Sequence, residues 1–160
     1  MRLLIAAVGR LKAGPERELL ERYVERASAA GRAVSLAPLE IAEVPESQAR
    51  RPAGRMAEEA EKLDTAVPKG ARRILLDAQG RNLTSEDFAA KLAHIRDQGA
   101  PVTAFLIGGA DGLGNKANPG ADLSISFGAA TFPHQIVRIL LAEQIYRAIT
   151  ILSGHPYHRA

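Results

Sequence analysis

Three of the four histidines lie within the last 27 residues of the sequence, at His134, His155 and His158. Two of them belong to the stretch His155-Pro156-Tyr157-His158-Arg159, which also carries a phenol and a guanidinium. These groups offer a stacking face, proton-transfer groups and a phosphate clamp, a combination that suits a nucleotide substrate. The alternative is a frayed polar tail, since terminal segments are commonly poorly ordered.

A glycine-rich segment, Gly108-Gly109-Ala110-Asp111-Gly112-Leu113-Gly114, directly follows the apolar run Val102 to Ile107. Glycine lets a ligand approach the backbone closely, and ligands of open α/β sheets bind beyond the carboxyl ends of the strands. The spacing is not that of a P-loop, because Lys116 is not followed by Ser or Thr, and it is not that of a dinucleotide fingerprint. The segment therefore predicts either a ligand-binding loop or a plain turn.

Other kinds of catalytic centre have little support in the sequence. His134 is expected at a helix start, where the helix dipole disfavours its cation. No two of the late histidines share a helical face and no acidic residue lies near them in sequence, so no metal site is predicted. The chain contains no cysteine, which excludes thiolate catalysis and agrees with a reducing cytosol.

Length and composition predict one domain over residues 1–160 with an aliphatic core. The chain is 46% hydrophobic but has only four Phe, three Tyr and no Trp. A net charge of +3 does not distinguish a nucleic-acid binder from an ordinary enzyme. No apolar run is long enough for a secretory signal or a membrane span, so we expect a cytoplasmic protein without membrane contact.

Strands and helices are predicted to alternate along the chain. Strands are expected at 3–8, 34–41, 74–76, 102–107 and 123–127, and helices at 14–31, 57–66, 84–98 and 133–153. A loop is expected at 80–83, and residues 42–56 are the least ordered-looking stretch. Pro38 within the second strand indicates an edge position or a bulge. This order predicts an α/β fold with a parallel sheet and helices on both faces.

The last predicted helix is apolar around most of its circumference, from Ile136 to Leu152. A helix of this kind must be buried nearly all round. The sheet can cover one side, and a second subunit is the expected cover for the other. A central helix within one domain is the alternative.

Four segments together resemble one known family. They are Arg2 to Gly9 (RLLIAAVG), Leu106 to Gly112 (LIGGADG), Thr131 to Arg138 (TFPHQIVR) and Tyr157 to Arg159 (YHR). Their content and order are similar to those of the large-subunit ribosomal RNA methyltransferase H family, which are pseudouridine N3-methyltransferases of the SPOUT superfamily. The similarity covers the whole chain and is weakest across 42–70.

The resemblance implies a SPOUT-type open, mostly parallel sheet with a C-terminal trefoil knot, a rare exception to un-knotted topology. It also implies a homodimer with the site at the subunit interface, and a pseudouridine in a large-subunit RNA stem-loop as substrate on the assembled ribosome. S-adenosylmethionine would bind in the knot. By match to the family's motifs, its pocket would be made by Leu76, Gly108, Phe127, Gly128, Ala129, Ala130, Thr131 and Phe132.

The implied reaction assigns candidate roles to the polar groups, because a ring nitrogen must be aligned with the methyl group and must lose its proton. The candidates for a base or proton relay are His134, Tyr157 and His158, and the candidates for substrate contact are Arg138, His155 and Arg159. No metal or covalent intermediate is required. Two alternatives are a methyltransferase of the same superfamily with another RNA target such as tRNA, and a non-enzymatic ribosome-binding or RNA-binding module.

Overall fold

The computed structural model describes residues 1–113 and 120–159. Gly114 and Lys116 of the glycine-rich region and the final residue, Ala160, lie outside the described residues. The strands are β1 Arg2–Val8, β2 Leu39–Val44, β3 Arg72–Asn82, β4 Val102–Ile107 and β5 Leu123–Ser126. The helices are α1 Pro15–Gly31, α2 Pro52–Ala66, α3 Ser85–Asp97 and α4 His134–Ser153, with a 3-10 turn at Arg32–Val34.

The five strands form one parallel sheet in the order β2-β1-β4-β3-β5. Side chains of a strand point alternately to the two faces of the sheet. Leu3 and Ile5 of β1 accordingly belong to a core that includes residues of α1, α3 and α4, whereas Leu4 and Ala6 pack with α2. The predicted α/β architecture with helices on both faces is therefore confirmed, and the trefoil knot stays a prediction.

Local sequence signals account for the ends of the later helices. The Thr84 hydroxyl accepts a hydrogen bond from the Asp87 N–H at 3.0 Å and so caps α3. Pro133 precedes the first residue of α4, and Gly154 ends that helix in the left-handed region with φ of 70°. The predicted positions of both helices are confirmed.

The second predicted strand is wrong over its first half. Residues 32–34 form the 3-10 turn, and Ser35 adopts a left-handed conformation with φ of 57°, which redirects the chain before β2 begins at Leu39. Pro38 therefore precedes the strand instead of lying within it. β2 does occupy an edge of the sheet, which is the position that the proline indicates.

The expected loop at 80–83 is also wrong, because β3 continues to Asn82. Its pairing with β5 shifts register between Leu76 and Arg81. Gly80 makes this possible, since a Cβ there would lie 2.6 Å from the carbonyl carbon of Ile125. The stretch 42–56 is more ordered than expected: it completes β2, and α2 starts at Pro52, a residue suited to a first helical turn.

Most of the apolar surface of α4 is covered within the chain itself. Leu141, Ala142, Ile145 and Ile149 are fully buried in the core that α1 and α3 share with the sheet. Phe132 and Ile136, at the start of the helix, remain exposed. The central-helix alternative thus explains most of the apolar pattern. No helix in residues 1–113 and 120–159 has the length and apolarity that crossing a membrane would take.

Candidate functional site

A cavity of about 230 Å³ lies at the carboxyl ends of β3, β4 and β5. This is the edge at which open parallel sheets bind ligands. Most of the residues predicted to bind the cofactor line it together, although they come from three separate parts of the chain. The ones found there are Leu76, Gly108, Phe127, Gly128, Ala130, Thr131 and Phe132, whereas Ala129 is not among the lining residues.

The segment 127–132 presents backbone to this cavity. Gly128 has φ of 132°, and the Ser126 hydroxyl donates to its carbonyl at 2.9 Å and accepts from its N–H at 3.1 Å. Within the described residues, no hydrogen bond engages the backbone of residues 129–132. Their N–H and C=O groups are therefore available to the polar edge of a heterocycle, as an adenine-containing cofactor requires. The apolar walls suit the rest of a flat ligand.

The glycine-rich segment closes one side of the cavity with a tight turn. The Gly112 N–H donates to the Gly109 carbonyl at 3.0 Å, and a Cβ at Gly108 would lie 2.6 Å from the carbonyl carbon of Gly112. Arg55 of α2 holds this turn through two hydrogen bonds to Asp111, at 2.6 and 3.1 Å. The pair raises the pKa of Arg55 and lowers that of Asp111, so the tether remains charged.

His134 forms part of the cavity wall at the first turn of α4. Its Nε2 atom lies 3.7 Å from Glu46 Oε1, and both atoms approach Gly9, where a Cβ would meet them at 3.3 and 3.1 Å. The two side chains are close neighbours but are not hydrogen-bonded at this distance. The structure places this predicted catalytic residue beside the predicted cofactor residues.

Arg138, predicted to contact substrate, is instead fully buried, with 0% of its surface exposed. Its guanidinium donates to Glu43 Oε1 at 2.8 Å and to the carbonyls of Val8 and Gly9 at 3.1 and 3.0 Å. Burial lowers the pKa of Arg138, and Glu43 opposes that shift. A side chain buried in this way is not accessible to an RNA phosphate. The structure therefore favours a structural role, in which Arg138 joins α4 to β1 and β2.

The stretch 155–159 folds back against α4 as far as Glu143, in the middle of the helix, and also contacts α3. The Tyr157 hydroxyl donates to Glu143 Oε1 at 3.1 Å, and the Arg147 guanidinium stacks over the Tyr157 ring at 4.9 Å. His158 Nε2 lies 2.7 Å from Glu86 Oε1. His155 accepts from the Tyr157 N–H at 3.2 Å, and Arg159 is exposed. These contacts order the predicted tail.

One chain does not bring its tail and its cavity together. The Tyr157 hydroxyl contacts Glu143, which is nine residues beyond His134 and so about 14 Å from it along α4. None of residues 155–159 is among the residues that line the cavity of their own chain.

Tyr157 stays protonated in this packing, because burial above all, and then hydrogen bonding with Tyr23 and Glu143, raises its pKa. Since the folded pKa is raised, the stabilisation is present below the ordinary tyrosine pKa of about 10 and disappears as the pH rises through the folded value. We expect ultraviolet titration to reveal one tyrosine that does not ionise near pH 10. The same titration of Tyr157→Phe should lack that late component, and its persistence there would contradict this assignment.

The sequence alone does not identify several residues around the cavity. Asp77 and Ala78 line it where β3 leaves the core, and only their position after an apolar strand could have indicated them. Glu59 of α2 is buried beneath the glycine turn, where a Cβ at Gly109 would lie 2.8 Å from its Oε2 atom. Among the residues that the structure describes, no cluster of three or more His, Asp or Glu could hold a metal ion.

Comparison with solved structures supports the fold. A probable methylase family protein from Haemophilus influenzae Rd KW20 aligns with a TM-score of 0.52 and 13% identity, over 99% of this chain and 70% of that one. A probable methyltransferase from Bordetella pertussis Tohama I gives a TM-score of 0.50 and 16% identity, over 92% and 95% of the two chains. At these identities the likeness concerns the fold alone.

Sequence comparison defines the class. The family model described as predicted SPOUT methyltransferase matches residues 1–158, so the chain belongs to the SPOUT methyltransferases. Over all 160 residues of both chains, it is 59% identical to ribosomal RNA large subunit methyltransferase H of Xanthobacter autotrophicus. It is 57% identical, again over the full lengths, to the protein of the same name from Rhodopseudomonas palustris strain BisA53. The chain is a methyltransferase, and the non-enzymatic alternative loses its support.

Proposed function

We propose that this enzyme transfers a methyl group from S-adenosylmethionine to N3 of a pseudouridine in large-subunit ribosomal RNA. The substrate class comes from the names of the full-length relatives. The observation that carries the proposal is the cavity at the carboxyl edge of the sheet, formed by seven of the residues matched to the family's cofactor motif. A ribosomal substrate would place the reaction in the cytoplasm.

The cavity residues would bind and orient the cofactor, which supplies an electrophilic methyl group on its sulfonium. The unpaired backbone of 129–132 would contact the adenine edge, and Leu76 with Phe127 would pack against its faces. The turn at Gly108 to Gly112, tethered by Arg55 and Asp111, would fix the remaining wall. Catalysis then depends on positioning the nucleotide in line with the methyl group.

Methylation at N3 breaks an N–H bond as the N–C bond forms, so the site must accept one proton. His134 is the imidazole on the cavity wall, and Glu46 lies 3.7 Å behind its Nε2 atom. In this proposal His134 accepts that proton, and the Glu46 carboxylate is the nearby anion that favours the imidazolium. His158 and Tyr157 are the other candidates, as donors or relays brought from a second subunit.

The cavity lining supports a homodimer in which each tail completes the partner's site, because none of residues 155–159 lines the cavity of its own chain. A two-fold axis would exchange the tails reciprocally between the two subunits. Exposed Phe132 and Ile136, beside the cavity, provide an apolar surface for the second chain. His155, His158 and Arg159 would then contact substrate RNA.

The proposal is tested with ribosomes from a strain that lacks the gene. Purified protein and S-adenosylmethionine are added, and nucleosides from the large-subunit RNA are analysed by mass spectrometry. We expect one methyl group on a pseudouridine. Absence of a methylated pseudouridine with protein that binds the cofactor, or methylation only of tRNA added in a parallel reaction, would overturn the proposed substrate.

A truncated chain that lacks residues 157–160 tests the shared site. We expect its cofactor affinity to stay within about twofold of the wild type, while methyl transfer falls by about 10²–10⁴-fold with loss of the proton-transfer groups. Mixing it with a Gly108→Ala chain should restore about a quarter of the wild-type rate. Half of the dimers are then mixed, and in each of them the cavity of the truncated chain is completed by the tail of the Gly108→Ala chain, which gives one complete site out of two. Equal loss of cofactor affinity and methyl transfer in the truncated chain would contradict the role of the tail.

A further inference from the structure

A second depression lies beside the cofactor cavity and has no part in the function described so far. It is bounded by the loop that follows β1, by the segment that follows β2 and by Gln135 of α4, and its volume is about 690 Å³. We call it the lateral groove. It opens at the carboxyl edge of the sheet, the same edge at which the cofactor cavity lies.

The lateral groove and the cofactor cavity share a wall. Gly9 and Glu46 line the groove, and His134 lines the cavity, with Glu46 Oε1 and His134 Nε2 only 3.7 Å apart. An RNA strand that leaves the cavity past His134 would enter the groove directly. A small-molecule cofactor held in the cavity has no need of this space.

The polar groups of the groove suit a phosphate backbone. Arg10 and Lys12 are exposed, and in the part of the chain that the structure describes no carboxylate pairs with either. Gln48 and Gln135 add exposed amide donors. The two acidic residues of the groove are Glu16 and Glu46, and Glu46 faces His134. Cations and amides of this kind contact phosphate and sugar oxygens in protein–RNA interfaces.

The loop that carries the two cations is held in place from inside the protein. Leu11, between Arg10 and Lys12, is buried, and its N–H donates to Glu43 Oε1 at 3.2 Å. The same Glu43 oxygen accepts from buried Arg138 at 2.8 Å. Little loop ordering is then required on binding, and this reduces the entropic cost of association.

We propose that the lateral groove binds the RNA backbone next to the target nucleotide, with Arg10 and Lys12 contacting phosphates and Gln48 and Gln135 contacting phosphate or sugar oxygens. This assignment rests on the proposed function, because it takes RNA as the substrate. It extends that function by naming the surface that positions the strand next to the target nucleotide. Exposed Arg50 and Arg51, just beyond Gln48, continue the cationic surface.

The test compares an Arg10→Ala, Lys12→Ala double variant with an Arg32→Ala, Lys69→Ala control. All four residues are exposed, and the control pair lies at the amino edge of the sheet. Binding to ribosomes that lack the modification is measured over a range of salt concentrations. We expect about tenfold weaker binding for the groove variant at moderate salt, and a slope of log affinity against log salt smaller by about 1.5 to 2.

Calorimetry with S-adenosylmethionine should give the same dissociation constant for both variants and the wild type. An unchanged salt slope in the groove variant overturns the inference, and so does an equal loss in the control pair. Weaker ribosome binding with an unchanged slope would indicate a protein contact and also overturns it. If the wild-type enzyme methylates large-subunit RNA in the mass-spectrometric assay described above, the proposed function survives each of these results.

Discussion

Replacing Arg138 by alanine is expected to lower the free energy of unfolding by about 3 to 5 kcal/mol, the range for breaking a buried ion pair. The substitution removes the cationic partner of the Glu43 carboxylate. It also removes the guanidinium that donates hydrogen bonds to the carbonyls of Val8 and Gly9. It also empties the volume of one of the largest fully buried side chains. Urea denaturation followed by circular dichroism measures the loss.

Arg22→Ala serves as the matched control, since Arg22 is exposed on α1 and should change stability by less than about 0.5 kcal/mol. An Arg138→Met, Glu43→Gln double variant should recover part of the loss, because it removes both charges and keeps an acceptor for Leu11. If Arg138→Ala folds with wild-type stability and loses only RNA binding, the guanidinium contacts substrate after all.

Gly108→Ala should weaken cofactor binding by about five- to 150-fold, which corresponds to the usual overpacking strain of about 1 to 3 kcal/mol. The added Cβ would lie 2.6 and 2.7 Å from the carbonyl carbon and oxygen of Gly112, and 2.8 Å from the Leu113 nitrogen. All three are backbone atoms, so the turn itself must open. Because Gly108 and Gly112 line the cavity, the opening displaces its wall. Titration calorimetry with S-adenosylmethionine measures the change.

Gly54→Ala is the control for this substitution. Gly54 lies within α2, where an added Cβ would approach only the Ala49 Cβ, at 3.3 Å, and where alanine is the better helix former. Its cofactor affinity should equal that of the wild type. Wild-type affinity in Gly108→Ala as well would remove the glycine turn from the cofactor site.

The sheet and its helices could be predicted because their signals are local. Leu3 to Val8 is a continuous apolar run, and Val102 to Ile107 is apolar except for Thr103, as buried parallel strands typically are. Thr84 and Gly154 mark helix ends through their own caps. The second strand and the loop at 80–83 are predicted wrongly. Ser35 redirects the chain by its left-handed backbone conformation, and Gly80 allows the backbone of β5 to approach closely. Hydrophobic periodicity contains no information about either effect.

The site could be predicted only in part, for a related reason. The cavity residues come from the family resemblance, and the glycine turn at the end of β4 is consistent with them. Arg138 and Glu43 are 95 positions apart in the sequence, and Glu46, which follows β2, lies 3.7 Å from His134, the first residue of α4. No spacing rule pairs such residues, so the sequence suggests a phosphate contact for Arg138 where the fold makes a buried ion pair.

The order of the strands has a consequence for how copies of this protein can associate. An unpaired sheet edge is a template for another chain's strand, and β2 and β5 are the outer strands here. β5 has only four residues, and β2 carries Glu40 and Glu43 and follows Pro38, which has no N–H to donate. Both edge strands are therefore poor templates for fibril growth. We expect self-association to proceed through helix surfaces and to end at a closed assembly.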